Sequence, residues 1–115
     1  MKPIAVSAVV LLSGAMACAS SVPPPNDQWA AAQADVGRAQ AGGAPQGPDA
    51  KLHLQLAQED LQHAKQLIGS DNWRATTLTE LARVEAQLAL SLAKSSAAED
   101  TARKAATDVQ NAQGK

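Results

Sequence analysis

The chain has 115 residues, a formal net charge of −1 at neutral pH, and neither phenylalanine nor tyrosine. Alanine is abundant, and the aromatic residues are Trp29 and Trp73. Because alanine favours helices whereas β-branched and aromatic residues favour strands, the composition predicts an all-α protein. Positive and negative side chains alternate along the chain without a basic patch, which argues against nucleic-acid binding.

Residues 1–17 have the pattern of a signal peptide. Lys2 supplies a positive charge, and residues 3–17 form an uncharged apolar stretch that ends in small residues. A stretch of about 15 residues is too short to cross a bilayer comfortably, because a membrane-spanning helix needs roughly 20. We therefore expect residues 1–17 to be removed on export, which leaves about 98 residues, enough for one small domain.

Cys18 is the single cysteine of the chain, so an internal disulfide cannot form. The sequence Ala15-Met16-Ala17-Cys18 resembles a bacterial lipobox, in which a small residue precedes a cysteine that receives a diacylglyceryl group on its sulfur. Lipoboxes usually carry leucine where this chain has Ala15. The resemblance implies acylation of Cys18, with fatty acids such as palmitate, and anchoring to a membrane. Ordinary secretion after cleavage at Ala17 is the alternative.

Residues 18–25 are predicted to form a tether between the lipid and the rest of the chain. Pro23, Pro24 and Pro25 favour extended polyproline geometry, which makes a stiff spacer. Similarity to other lipoproteins adds an expectation about location, because an aspartate after the lipidated cysteine often marks retention in the inner membrane. This chain has Ala19 there. We expect a lipid-anchored protein of the outer membrane that faces the periplasm.

Residues 26–115 are predicted to form one helical domain of three helices. Asn26 is the expected N-cap of a short first helix, whose buried stripe is Trp29, Ala32, Val36 and Ala39. Residues 42–48 read GGAPQGP and form a loop by composition. Pro48 suits the first turn of the second helix. Its predicted buried residues are three and four apart: Leu54, Ala57, Leu61, Ala64 and Ile68.

The third helix is predicted to be long and to protrude. Gly69 ends the second helix, and Ser70 or Asp71 caps the third, so the two form an antiparallel hairpin. The third helix has no breaker from about residue 72 to residue 113, roughly 60 Å. Its first half is expected to bury Leu78, Leu81, Val84, Leu88 and Leu92. Its second half carries only a thin stripe and either frays or lies against another chain: Ala98, Ala102, Ala105, Val109 and Ala112.

These segments together resemble a family of short bacterial helical lipoproteins of unknown function. The resemblance is carried by residues 18–25, the alanine-rich first helix, Leu54-x-Leu56-Ala57-x-x-x-Leu61-x-x-Ala64-Lys65, the turn Gly69-Ser70-Asp71-Asn72-Trp73 and the long last helix. Members pair a similar hairpin with a Gly-Asp-aromatic turn, and some carry an OmpA-like peptidoglycan-binding domain downstream. The turn also resembles that of tetratricopeptide hairpins. This chain departs in its Gly/Pro-rich first loop, so the resemblance implies location and fold but no activity.

No catalytic, cofactor-binding or metal-binding constellation is predicted. His53 and His63 lie ten residues apart and do not share a helix face, so both are expected to face solvent. The adjacent carboxylates Glu59-Asp60 and Glu99-Asp100 are read as solvated. Trp29 and Trp73 are the candidates for specific contacts. They either pack against each other or the hairpin, or present an aromatic surface to a partner.

The sequence therefore predicts a non-enzymatic envelope lipoprotein, a helical scaffold or adaptor that binds another envelope protein or itself through its third helix. The few large apolar side chains make a domain of marginal stability, which association would help. Lys115 offers an alternative, because a lipidated N-terminus, an alanine-rich helix and a terminal lysine resemble the murein lipoprotein, whose last lysine is joined to peptidoglycan. A third possibility is an accessory subunit of an envelope enzyme.

Overall fold

The computed structural model describes residues 21–114, which form three α-helices. Helix α1 spans Asn26–Ala41, α2 spans Pro48–Leu67 and α3 spans Asn72–Gln113, with one 3₁₀ turn at Ala44–Gln46. Within this part of the chain there is no strand. The prediction of an all-α fold with a short first helix, an antiparallel hairpin and a long third helix is confirmed. The predicted signal peptide, Cys18 and Lys115 lie outside the described residues.

The ends of α1 and the start of α2 follow from local residues. Pro25, rather than the predicted Asn26, occupies the cap position of α1, because the Pro25 carbonyl accepts the Trp29 N–H at 2.8 Å. Asn26 is therefore the first helical residue and the predicted N-cap was wrong by one position. At the other end Gly42 closes α1 by donating its N–H to the Arg38 carbonyl at 2.8 Å. Pro48 begins α2, where its missing N–H leaves no helical bond unmade.

The turn between α2 and α3 reverses the chain within a few residues. Gly69 has a φ of +90°, a left-handed conformation that favours glycine. Asp71 is the cap of α3, since its carboxylate accepts the Arg74 N–H at 3.1 Å. The Asn72 side chain accepts the Gly69 N–H at 2.7 Å and donates to the Val22 carbonyl at 2.8 Å. The segment that precedes α1 is therefore fixed against this turn.

The core between the three helices is built mainly from alanine. Nine alanines are fully buried: Ala32, Ala39, Ala44, Ala57, Ala64, Ala75, Ala82, Ala86 and Ala89. The larger buried apolar residues, Val36 on α1 and Leu54 and Leu61 on α2, lie among these methyl groups. Small facing side chains allow helices to approach closely, and a few leucines then fill the remaining space. This accounts for the burial of both predicted stripes on α1 and α2, except that Trp29 and Ile68 are half-buried.

The buried stripe predicted for the first half of α3 was wrong. Leu81, Val84 and Leu88 are 44%, 60% and 40% exposed, and Leu78 and Leu92 are half-buried. The face that α3 turns to α1 and α2 is instead Ala75, Thr79, Ala82, Ala86, Ala89 and Ala93. Both stripes have the same three-and-four spacing, so periodicity cannot choose between them. The small face lies inward because it lets α3 approach two helices at once.

The second half of α3 stands clear of the other helices, as predicted. Residues 94–114 are all exposed. We call residues 94–113 the tail of α3. At 1.5 Å per residue the tail extends roughly 30 Å beyond the hairpin.

Candidate functional site

Trp29 anchors α1 to α2. Its indole N–H donates to the Leu61 carbonyl at 3.0 Å, and the Lys65 ammonium lies 5.4 Å from the centre of its ring. A lysine at this distance from an aromatic face is attracted to it. Trp29 therefore matches the interpretation that it packs against the hairpin, and its ring is only half-buried.

Trp73 lies in a different environment from Trp29. It occupies the first turn of α3, where its side chain is 67% exposed. Within residues 21–114 its side chain has no hydrogen bond and is not part of the buried core. Trp73 therefore stays a candidate for contact with a partner, next to the turn that holds Val22.

Asp35 is a buried carboxylate that the sequence analysis did not identify. It is 4% exposed, accepts from the Arg83 side chain of α3 at 3.2 Å, and forms an ion pair with Arg38 of its own helix. Its position was detectable, because Asp35 lies three residues after Ala32 and four before Ala39, both predicted to be buried. The link between Asp35 and Arg83 fixes how α1 lies on α3.

His53 and Glu85 join α2 to α3 on the side away from this ion pair. The His53 Nδ1 atom lies 2.5 Å from a carboxylate oxygen of Glu85, so the prediction that His53 faces solvent was wrong. His63 is exposed, as predicted. Burial, together with the nearby negative charge of Glu85, raises the pKa of the Asp60 carboxyl. Asp60 is half-buried, whereas its neighbour Glu59 is exposed.

This polar cluster links two helices and does not form a metal site within the part of the chain that the structure describes. Among residues 21–114 no group of three or more histidine, cysteine, aspartate or glutamate side chains is placed to hold a metal ion. His53 and Glu85 bond to each other across the helix interface, which directs the imidazole towards its structural partner. The arrangement stabilises the hairpin and sets which residues of α2 and α3 lie side by side.

An exposed apolar surface surrounds the bond between His53 and Glu85. Residues three or four apart on a helix share a face, so Leu56 lies beside His53, while Leu81 and Leu88 flank Glu85. We call this surface the leucine face, and its members are 38% to 60% exposed: Leu52, Leu56, Leu81, Val84 and Leu88. Several large apolar side chains exposed on neighbouring helices commonly mark a place where another molecule binds.

A groove between α1 and α2 lies next to Trp29. It is lined by Trp29, Lys65 and four glutamines: Gln33, Gln40, Gln58 and Gln62. These amides can donate and accept hydrogen bonds, but they supply neither a nucleophile nor a general base. The groove therefore offers amide groups, one ammonium group and an aromatic edge for polar recognition.

Comparison with known protein families finds a match to a domain of unknown function (DUF4398) over residues 27–113. The match covers α1, α2 and α3. Comparison with the curated proteins and with the solved structures gives no match. In the part of the chain that the structure describes, no helix has the length and hydrophobicity needed to cross a membrane.

Proposed function

The chain belongs to the DUF4398 family of domains of unknown function, and from this premise we propose that it is a non-enzymatic lipoprotein of the bacterial envelope. In this proposal Cys18 carries the lipid, and the helical domain acts as a scaffold or adaptor. In this proposal the partner binds to the leucine face together with the tail of α3. The single observation that carries the proposal is that this one helix presents exposed apolar residues from Leu81 to Val109.

The proposed anchor rests on the sequence of the first 25 residues. An uncharged apolar stretch leads to Ala17 and Cys18, and three prolines precede α1. A lipidated cysteine at that place needs a spacer to lift a folded domain off the bilayer, and consecutive prolines supply a stiff one. The bond between Val22 and Asn72 supports the arrangement, because it places the start of the helical domain at the turn end of the hairpin.

The proposed docking role rests on exposure that a monomer does not explain. Val84 is 60% exposed and Leu88 is 40% exposed, although both lie in the half of α3 that packs against two other helices. Val109 is 56% exposed on the tail. Transfer of such side chains out of water is favourable, at about 25 cal/mol per Å² of apolar surface. Packing of a partner helix along α3 would bury these side chains and gain this free energy, whereas in the isolated chain they stay exposed to water.

Site-specific photocrosslinking in intact cells tests this proposal. A photoreactive residue at Val84 or Val109 of the full chain should give a crosslinked product in the membrane fraction. The same group at Gln66, an exposed residue of α2 away from the leucine face, is the control and should give much less product. Absence of any product from Val84 and Val109, or equal yields at all three sites, would overturn the docking role.

The lipid anchor is tested in the same cells. Replacing Cys18→Ser should move the protein from the membrane fraction to the soluble fraction and abolish incorporation of labelled palmitate. Unchanged fractionation of C18S together with no labelling of the native chain would contradict the anchor, while the docking experiment would still be interpretable.

A further inference from the structure

An uncharged, exposed stripe of residues on α3 continues without a break from its packed half into the tail. Starting at Leu81 and stepping alternately by three and four residues, ten positions are reached, of which Ala112 is the last. None of the ten carries a charge, and all ten are exposed. We call these ten positions the seam. Alternating steps of three and four are the repeat by which one α-helix packs along another in a coiled coil.

The seam is graded in size along its length. Its large residues, Leu81, Val84 and Leu88, lie beside the hairpin, and its middle positions are Ser91 and Ser95. Beyond Ser95 the tail contributes four alanines and Val109. The part of α3 that packs against α1 and α2, residues 72–93, has almost the same length as the tail. A single partner that matches both halves must therefore be small where this seam is large, and large where this seam is small.

We infer that the partner is a second copy of this chain, paired antiparallel along the seam about a two-fold axis. This inference deepens the proposed function, on which it rests, by naming the occupant of the leucine face. In the antiparallel register that centres the seam on itself, Leu81 faces Ala112 of the second copy, Val84 faces Val109, and Leu88 faces Ala105. The tail of each copy then covers the leucine face of the other.

The residues near the two-fold axis also suit an antiparallel pair. Ser91 faces Ala102 of the second copy and Ser95 faces Ala98, so the axis passes through small residues that allow close approach. Serine hydroxyls on a helix can bond to the carbonyl four residues earlier, which leaves no unmet polar group at such a contact. All five layers pair a residue that precedes a three-residue step with one that follows such a step, which is the layer geometry of an antiparallel coiled coil.

A parallel pair fits the same surface less well. It would set Leu81 against Leu81, and Ala105 against Ala105, so the helices would be forced apart at one end and left poorly packed at the other. It would also bring Glu80 of one copy towards Glu85 of the other, and like charges at these flanking positions disfavour pairing. The antiparallel order instead pairs each leucine with an alanine, so that no layer holds two leucines.

The size of the contact sets the expected strength. A strip of 32 residues is about 48 Å long and roughly 10 Å wide, on the order of 500 Å² for each partner, before α2 contributes Leu52 and Leu56. Specific interfaces begin at about this size. We therefore expect a dimer that dissociates on dilution.

Disulfide trapping between two single-cysteine variants tests the arrangement directly. Full chains with Cys18→Ser and either Ser91→Cys or Ala102→Cys are mixed and oxidised. The expected product is the mixed disulfide, because these two positions face each other only in the antiparallel register. Residue 91 of one copy lies roughly 16 Å along the axis from residue 91 of the other, so S91C alone should form little homodimer.

Sedimentation of the unmodified full chain supplies the second measurement. We expect a concentration-dependent dimer, and Ala102→Glu, which places a charge in the seam, should raise its dissociation constant at least about tenfold. The matched control is Ala97→Glu on the same exposed helix but outside the seam, which should leave the dissociation constant within about twofold.

Three results would overturn the inference: a monomer at every concentration, a homodimer of S91C in place of the mixed disulfide, or equal effects of A102E and A97E. None of them by itself removes the proposed function. A monomer whose Val84 crosslinks in cells to a different protein keeps the docking role and replaces the second copy as occupant. A chain that dimerises when purified but gives no crosslink in cells keeps the pairing and contradicts the docking role in the envelope.

Discussion

Gly69 and Gly37 are both exposed, but their replacement by alanine should change the stability in opposite directions. Gly69 has a φ of +90°, whereas Gly37 lies within α1 with open space around it. Gly69→Ala should destabilise the protein by roughly 1–2 kcal/mol, because a side chain disfavours the left-handed conformation. Gly37→Ala should stabilise it by about 0.5–1 kcal/mol, because alanine is the better helix former. Urea unfolding followed by circular dichroism measures both, and a shift of the same sign in the two variants would contradict this account.

The carboxyl group of Asp60 makes the stability of the folded chain depend on pH. Its pKa is raised from the ordinary value of 3.8, chiefly by burial and then by Glu85, so the folded chain binds a proton more tightly than the unfolded chain. Ionisation of Asp60 therefore costs stability, a cost that is absent below the ordinary pKa and grows as the pH rises through the raised one.

Asp60→Asn removes the charge and should raise Tm at neutral pH. The difference from the native chain should shrink towards zero as the pH falls below 3.8, where both side chains are neutral. Thermal unfolding of both proteins across this range measures the difference. A Tm gain that persists unchanged in acid would assign the effect to something other than the carboxylate charge.

At the scale of helices, the contact between Asp35 and Arg83 joins α1 to α3. The Asp35 carboxylate is 4% exposed, so loss of a partner leaves a buried charge with fewer donors. Arg83→Gln should cost about 1–3 kcal/mol of unfolding free energy. The control is Arg74→Gln, which breaks an exposed pair with Asp71 and should cost no more than about 1 kcal/mol. Equal losses in urea unfolding would show that burial of Asp35 does not set the cost.

The helix boundaries were predictable because their signals are local. Gly42, Pro48, Gly69 and Asp71 each act on the few backbone groups next to them, and α1, α2 and α3 begin and end where these residues imply. The one displaced boundary, at Asn26, came from a proline whose carbonyl could begin the helix one residue earlier. Periodicity also identified the buried faces of α1 and α2.

The inward face of α3 was not predictable from periodicity, because two stripes of equal spacing compete for it. Hydrophobicity ranks the stripe with Leu81 and Leu88 above the one with Ala82 and Ala89, yet the alanines are buried. Choosing between them needs the distance between helix axes, which depends on α1 and α2 together. The leucine face, and with it the candidate site, followed from this choice. The contact between Asp35 and Arg83 was not predictable either, because 48 positions separate the two residues in the sequence.

At the scale of the whole molecule, antiparallel pairing and the proposed anchor together set an orientation. The first residues of α3 in the two copies would lie at opposite ends of a rod, roughly 70 Å apart. Val22, bonded to Asn72, brings the proposed tether to each of these ends. A dimer anchored at both ends lies along the bilayer, whereas a parallel dimer anchored at one end would stand upright with both tails reaching away.

The alanine core described above should tolerate different substitutions from those that an ordinary core tolerates. In an ordinary core a buried leucine can exchange for isoleucine or methionine at small cost, because volume is nearly kept. A larger residue at fully buried Ala57 or Ala86 should overpack the core, and glycine there would weaken the helix. Relatives descended from a common ancestor should therefore keep their smallest side chains and drift at their largest ones. An inventory of invariant bulky residues would miss the fold of this family.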